Sequence, residues 1–399
     1  MPKVDLSAIK NLVQESIDVD RLEIGRKRQD QVCRGQSPDY APLILGHCQP
    51  FVGDCKENRT FIMGDHFLAG GTPSPEIENY PHFGLAQQID SPEIMLYEGL
   101  WELLSWVRSG SDAQFSLRPR MTGLIPVCFG LEYQVTNDGA GWYSQPITLD
   151  QALDADLSDL QKLPSVRKTL EHIHFFQSNL PEGVKVSLPI AVGPLNLTDN
   201  ILGKSMWTQF YDNPDKMHRV LAKITDAIIT LLRIYKQVAG EPDDIAWIGP
   251  LYMTCGGVKM GNDSLVMLSP QMFSDFVVPC VARLCREFSG GYHHSCGHYP
   301  PHLDALCRLP ELTLFNFGEP KFWDMPEAVE QMAQCGKIYY GGWERLPDEP
   351  IETYLRRGVE ICGPQRNRAI LYAKGTGPWP QPAKTMDLWH RLQDEIYPR

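Results

Sequence analysis

Short apolar runs recur along the chain, each closed by Gly, Pro, His or Cys, with longer amphipathic stretches between most of them. Eight runs read as strands: residues 41–47, 122–129, 185–192, 244–251, 291–296, 312–317, 337–342 and 368–373. Several are almost continuously apolar, as strands buried on both faces of a parallel sheet are. The stretches between them have helical spacing. After Asn213-Pro214-Asp215, residues Val220, Leu221, Ile224, Ile228, Leu231, Leu232 and Tyr235 form one stripe running to about Val238. Ser269 and Pro270 supply an N-cap and a first helical position for a run through Phe273, Phe276, Val277 and Leu284. Met325-Pro326-Glu327 and Pro350-Ile351-Glu352 open two more helices. Strands alternating with helices predict an α/β fold, and eight such strands predict a (β/α)8 TIM barrel with extra N-terminal helices. No glycine-rich dinucleotide fingerprint follows the first strand, so a Rossmann reading has no support. The predicted division is a helical extension over 1–40 and a single barrel over 41–399. A long insertion at 49–119 follows the first strand, where it can shape a substrate site.

Composition narrows the function. The chain has 399 residues, 43% hydrophobic and 22% charged, which excludes general disorder. Its net charge of −12 argues against nucleic acid or an anionic membrane surface as the main partner. No stretch reaches the ~18 apolar residues of a membrane helix, and the first residues lack a signal-peptide core. The expectation is a cytoplasmic protein acting on a small molecule, with a homodimer left open. The 11 cysteines are odd in number and include no Cys-x-x-Cys pair, so most read as reduced packing residues.

Barrel enzymes place their chemistry at the C-terminal ends of the strands. Candidate residues there are His47 on the first strand, Tyr252, Met253 and Cys255 after the fourth, and His294, Cys296 and His298 on the fifth. Asn316 and Glu319 follow the sixth strand, Trp343, Glu344 and Arg345 the seventh, and Lys374 and Thr376 the eighth. Residues two apart in an extended chain share a face, so His294 and Cys296 can offer a nitrogen and a thiolate to one zinc ion. Cys255 is the candidate third ligand, from the neighbouring strand. The alternative is that Cys296 and Cys255 simply pack while the histidines meet loops or solvent. Tyr252, Met253, Phe317 and Trp343 are expected to wall a deep pocket, with His47, Asn316, Lys374 and Thr376 as polar substrate contacts.

Taken in order, several segments resemble the uroporphyrinogen decarboxylase superfamily. They are Gly193-Pro194-Leu195-Asn196-Leu197 with Tyr211-Asp212-Asn213-Pro214; Leu268-Ser269-Pro270-Gln271-Met272-Phe273; His294-Ser295-Cys296-Gly297; and Gly375-Thr376-Gly377-Pro378. The resemblance covers residues 181–392, and more loosely 42–164. That superfamily holds the heme-pathway decarboxylase and the zinc-dependent methylcobamide:coenzyme M methyltransferases. The decarboxylase branch would have an Arg-Gln-Ala-Gly-Arg segment where this chain has Leu45-Gly46-His47-Cys48, and its catalytic Asp falls near Met121. The resemblance is therefore closer to the methyltransferase branch. There it implies zinc on His294 and Cys296, with Arg120-Met121-Thr122 and Glu132 as weaker matches. The branch's third ligand, a Cys, falls on Thr376; either Cys255, His298, Glu319 or Glu344 replaces it, or the site holds no metal.

Three functions compete. The first is a zinc-dependent methyltransferase or demethylase that exchanges a methyl group between a small substrate and methylcobamide. The corrinoid would be carried by a separate protein, since no Asp-x-His-x-x-Gly signature occurs here. His294, Cys296 and Glu344 are its candidate catalytic residues. The second is a metal-free decarboxylase or lyase, moving protons through His47, His294 or His298 while Lys374 or Arg345 holds a carboxylate. The third is a non-catalytic barrel that binds a small molecule.

Overall fold

The computed structural model describes residues 4–45, 83–121, 124–135, 141–189, 192–373 and 382–398. Two helices open it, Leu6–Ser16 and Val19–Cys33, capped by the Asp5 and Asp18 carboxylates, which accept from the amides of Ala8 and Arg21. Eight parallel strands follow in chain order: β1 Leu43–Leu45, β2 Ser116–Leu117, β3 Lys185–Val186, β4 Val258–Gly261, β5 Gly291–Ser295, β6 Leu312–Phe317, β7 Ile338–Gly341 and β8 Ala369–Ala373. Six form one sheet in the order β1-β8-β7-β6-β5-β4, and β2 pairs with β3. Helices lie between most successive strands. The architecture is thus mixed α/β around a central parallel sheet, compatible with an α/β barrel.

Six of the eight expected strands contain an observed parallel one. The other two are corrected. The run 122–129 contains the short helix Leu124–Cys128, and the strand lies earlier, at β2. An apolar run alone does not separate strand from buried helix, and Pro126 fits the first turn of a helix better than a strand. The run 244–251 enters an antiparallel hairpin, Ala246–Ile248 with Leu251–Met253, and the parallel strand is the next one, β4. Lys259 inside Val258–Gly261 hides that strand from a search for apolar runs.

Helix predictions fare better because their signals are local. Pro214–Ala239 buries the expected stripe and ends at Gly240, whose φ of 65° a β-carbon would strain. The hydroxyl of Ser269 accepts from the amide of Met272 at 3.1 Å, as an N-cap should. That helix widens to π geometry over Phe273–Val277, just before Pro279. Proline lacks the amide that would continue the ladder, so the register shifts by one residue there.

The C-terminal helix Pro382–Ile396 closes the layer over β1 and the N-terminal helices. His390 stacks on Tyr40 at 4.0 Å, and its Nε2 lies 3.3 Å from Nη1 of Arg28. Burial, then the Arg28 charge, pushes its pKa from 6.5 down to about 4. A histidine depressed in the folded state is protonated first in the unfolded chain. Its contribution is complete above about pH 6.5 and is lost as pH falls toward 4. The thermal midpoint of wild type should therefore drop across that window by more than that of His390→Gln. Parallel slopes for the two proteins would refute the assignment.

Candidate functional site

Register places the site. His294 on β5 stands opposite Gly261 on β4 and Asn316 on β6. These positions share the sheet face turned away from the helices. The opposite face carries Phe315, Phe317 and Tyr339; Phe317 stacks on Trp323 at 4.0 Å, and Tyr299 packs beside them. Gly261 puts no side chain beside the imidazole. The chain then turns through Asn262 into a short 3-10 segment, Asp263–Met267, while β5 runs on into Cys296 and Gly297. Asn262 N donates to His294 O at 3.0 Å, which locks the two strand ends together. The Cys296 amide donates to Asp263 Oδ1 at 2.7 Å, so the thiol and the carboxylate are brought to the same place.

Asp263, His294 and Cys296 offer ligand atoms that all lie within 4.8 Å of one another. Nε2 of His294 is 3.5 Å from the Cys296 sulfur and 3.5 Å from Asp263 Oδ1. The tautomer follows from its neighbour. Asn316 Nδ2 donates to the carbonyl of Tyr340 at 2.6 Å, which leaves Oδ1 facing His294 Nδ1, also at 2.6 Å. That oxygen accepts, so Nδ1 carries the proton and the lone pair of Nε2 points at the sulfur and the carboxylate. An amide oxygen fixing the far nitrogen is the support that a metal-bound imidazole normally has. Asn196 Nδ2 donates to Asp263 Oδ2 at 3.3 Å, steadying the carboxylate from the opposite side. A nitrogen, a sulfur and an oxygen donor converging from three backbone positions suit Zn²⁺.

Close packing holds this geometry. A β-carbon on Gly318 would lie 2.8 Å from the Cys296 sulfur and 3.1 Å from His294 Cε1. One on Gly341 would lie 2.8 Å from Asn316 Nδ2. Gly318→Ala and Asn316→Ala each leave all three donors in the chain. Both should nevertheless weaken any zinc binding by the cluster by roughly 10–100-fold, the usual cost of disturbing a supporting residue. Zinc titration against a chromophoric chelator checks this; wild-type affinity in both variants would refute it.

The other expected site residues are placed as follows. Cys255 is at the opposite end of the sheet, where its carbonyl accepts from Thr313 Oγ1 at 2.8 Å near the start of β6. It is a correction that follows from the misplaced fourth strand, and Asp263 occupies the converging position instead. Tyr252 and Met253 belong to the antiparallel hairpin; Tyr252 stacks on Trp247 at 4.4 Å and Met253 is fully buried. Trp343 is fully buried in the helix layer, stacked on Tyr354 at 4.4 Å, with its indole nitrogen donating to Tyr354 O. A β-carbon on Gly358 would sit 2.6 Å from its ring, so that glycine is a notch for the indole. Tyr252, Met253, Trp343 and the helix-facing Phe317 are therefore packing residues, not pocket walls. Glu344 is exposed, and its carbonyl accepts from Arg357 at 2.8 Å, without joining the His294 cluster. Glu319 lies nearer, accepting from the Gly297 amide at 3.1 Å. His298 is exposed, with its ring edge toward Trp323. His47, Lys374 and Thr376 lie outside the described residues, as do residues 49–82 of the 49–119 insertion.

Sequence reasoning missed Asp263 and Lys259. The short polar turn Asn262-Asp263 after Val258–Gly261 was the available signal. Lys259 lies two residues below Gly261, with Nζ 5.2 Å from the centre of the Tyr292 ring. Burial lowers its pKa to about 7, with Asp263 opposing the shift, so it can gain or lose a proton near neutrality. Arg118, Ser187, Trp247 and Lys259 line a cavity of about 20 Å³, the room of about one water. His293 faces the helices, fully buried, and burial with the neighbouring His294 pushes its pKa down to about 3, keeping it neutral.

No family profile and no curated protein matches the chain. Among solved structures, a methyltransferase from Methanosarcina mazei has the same fold, with a TM-score of 0.60 and 14% identity over 93% of this chain and 98% of that one.

Proposed function

We propose that this chain is a zinc-dependent methyltransferase, moving a methyl group between a small substrate and a corrinoid held by a separate protein. The observation that carries the reading is the convergence of Asp263, His294 and Cys296 at the C-terminal ends of β4 and β5. The fold in common with a methyltransferase supports it, as do the sequence segments set out above. In this reading β2 and β3 close the sheet into a (β/α)8 barrel. Supporting backbone bonds run from Asp112 N to Leu43 O and from Gly193 N to Gly261 O, joining the flanks of the pair to both edges of the six-stranded sheet.

Bound zinc would supply Lewis acidity, lowering the pKa of a substrate thiol or polarising a leaving heteroatom. His294, Cys296 and Asp263 would hold it. One thiolate and one carboxylate match its charge, and three protein ligands leave a position for substrate. Asp263 takes the place assigned above to Cys255. Asn316 keeps the proton on His294 Nδ1, and Lys259 supplies a proton acceptor or a cation beneath the site. Val192, Val266, Met267, Phe322 and Leu346 are exposed on segments that follow the C-terminal ends of strands. Such an apolar fringe around the site suits docking of a partner protein that brings the corrinoid.

The test is methyl transfer from free methylcobalamin to a panel of small thiols, followed by loss of the cobalt–carbon absorbance. Transfer that requires zinc and vanishes in Cys296→Ser supports the proposal. Transfer that survives metal removal refutes the zinc assignment. No transfer to any thiol, with thermal stabilisation by small carboxylates instead, favours the lyase reading.

A further inference from the structure

The opposite end of the sheet holds a second reactive arrangement, unrelated to the site above. Helix Val19–Cys33 is tied to the segment 250–255 rung by rung. Gln29 Nε2 donates to Pro250 O at 3.1 Å, and its Oε1 accepts from the Tyr252 amide at 2.7 Å. One position on, Asp30 Oδ1 accepts from the Thr254 hydroxyl at 2.6 Å. The next turn brings Cys33 beside Cys255, close enough for each thiol to shift the other's proton affinity. Both are free thiols; Cys33 is 8% exposed and Cys255 is half-buried.

The backbone under Cys255 has little freedom to move away. Its carbonyl is held by Thr313 Oγ1, which also donates to Gly291 O. Gly256 follows at a φ of 149°, and a β-carbon there would lie 2.1 Å from the backbone of Gly290. The helix side is equally fixed, because Gln29 is fully buried and also donates to Asp112 O at 2.8 Å.

We propose that Cys33 and Cys255 are an oxidative modification site, closing to a reversible disulfide when the protein meets a hydroperoxide. Contact with Cys255 holds the Cys33 thiol below its usual pKa in spite of burial, which favours Cys33 as the attacking sulfur. Its thiolate takes the outer oxygen of the peroxide: an S–O bond forms, the O–O bond breaks, and the departing alkoxide or hydroxide picks up a proton. The Cys255 sulfur then attacks the Cys33 sulfenic acid. The S–S bond forms, the S–O bond breaks, and hydroxide leaves as water with the Cys255 proton. Two thiols lose two electrons, and the peroxide is reduced to water and an alcohol, or to water alone from hydrogen peroxide. The product joins the N-terminal helix to the sheet floor across a long stretch of chain, which restricts the unfolded state and raises stability.

The experiment treats the whole protein with hydrogen peroxide, alkylates the remaining thiols and maps peptides without reduction. The expected result is a Cys33–Cys255 peptide pair lighter by two hydrogen atoms, removed by a thiol reductant and accompanied by a higher thermal midpoint. Cys33→Ser and Cys255→Ala should each abolish the pair and the shift. Exposed Cys335, away from the zinc site, serves as an internal measure of oxidant exposure. If it oxidises while Cys33 and Cys255 stay fully alkylatable, the proposal is overturned. Cys33 recovered as sulfinic acid, or bridged elsewhere, overturns it as well. The wild-type map decides even if a variant does not fold, and no readout depends on the zinc site.

Discussion

On the proposed function, Cys296→Ser should fold normally and fail to hold zinc, and methyl transfer should be lost with it. A serine hydroxyl replaces a thiolate, so the site loses both its softest donor and one of its two negative charges. The loss should exceed the roughly 10–100-fold expected for the supporting residues. Asp263→Asn is the sharper test of the geometry. An asparagine oxygen in place of Oδ1 can still accept from the Cys296 amide, while the carboxylate charge disappears. Its zinc affinity should fall markedly, whereas Cys255→Ser, altered at the far end of the sheet, should bind zinc like wild type. Elemental analysis of protein purified without added metal, with chelator competition, reads all three. If Asp263→Asn and Cys296→Ser carry as much zinc as wild type, the site and the mechanism built on it both fail.

Asp112→Ala should be among the most destabilising single changes in the chain. The carboxylate is fully buried, its Oδ1 accepting from Arg21 at 3.0 Å and from Arg28 at 2.9 Å. Oδ2 accepts from the Leu43 amide at 3.0 Å, at the start of β1. Removing it leaves a buried guanidinium with only the half-exposed Asp39 as counter-charge, and a buried strand amide unpaired. Breaking a buried pair from one side costs about 3–5 kcal/mol. Denaturant unfolding should show the midpoint moving accordingly, with zinc affinity of the folded fraction unchanged. A loss below about 1 kcal/mol, the worth of a surface pair, would mean that the two arginines find other partners.

The two expectations differ in how visible they were along the chain. Asp112 has no signal in sequence: it sits in a polar stretch, and its importance comes from arginines 84 and 91 residues away. His294 and Cys296 were legible because the strand that carries them is a single local run, and a period of two fixes their common face. Asn316 was legible as a strand-end residue for the same reason, though as a substrate contact and not as the partner of His294. Helix starts at Pro214 and Ser269 were legible because proline and capping hydroxyls act within one turn.

What the sequence determined, then, is what short-range chemistry determines: the alternation of strands and helices, their caps, and two of the three residues that converge as Asp263, His294 and Cys296. What tertiary structure decided is which apolar run is a parallel strand and which residue arrives beside His294. The run at 244–251 is the more apolar, but the sheet uses Val258–Gly261, where Gly261 makes room for the imidazole and Lys259 turns inward. That choice carries Asp263 to the cluster and Cys255 to the opposite end. It also makes Met253 a packing residue of the hairpin, while Trp343 packs because it stacks on Tyr354 of a distant helix. Each outcome depends on hydrogen-bond partners supplied by distant strands and helices, and local propensity holds no information about distant partners.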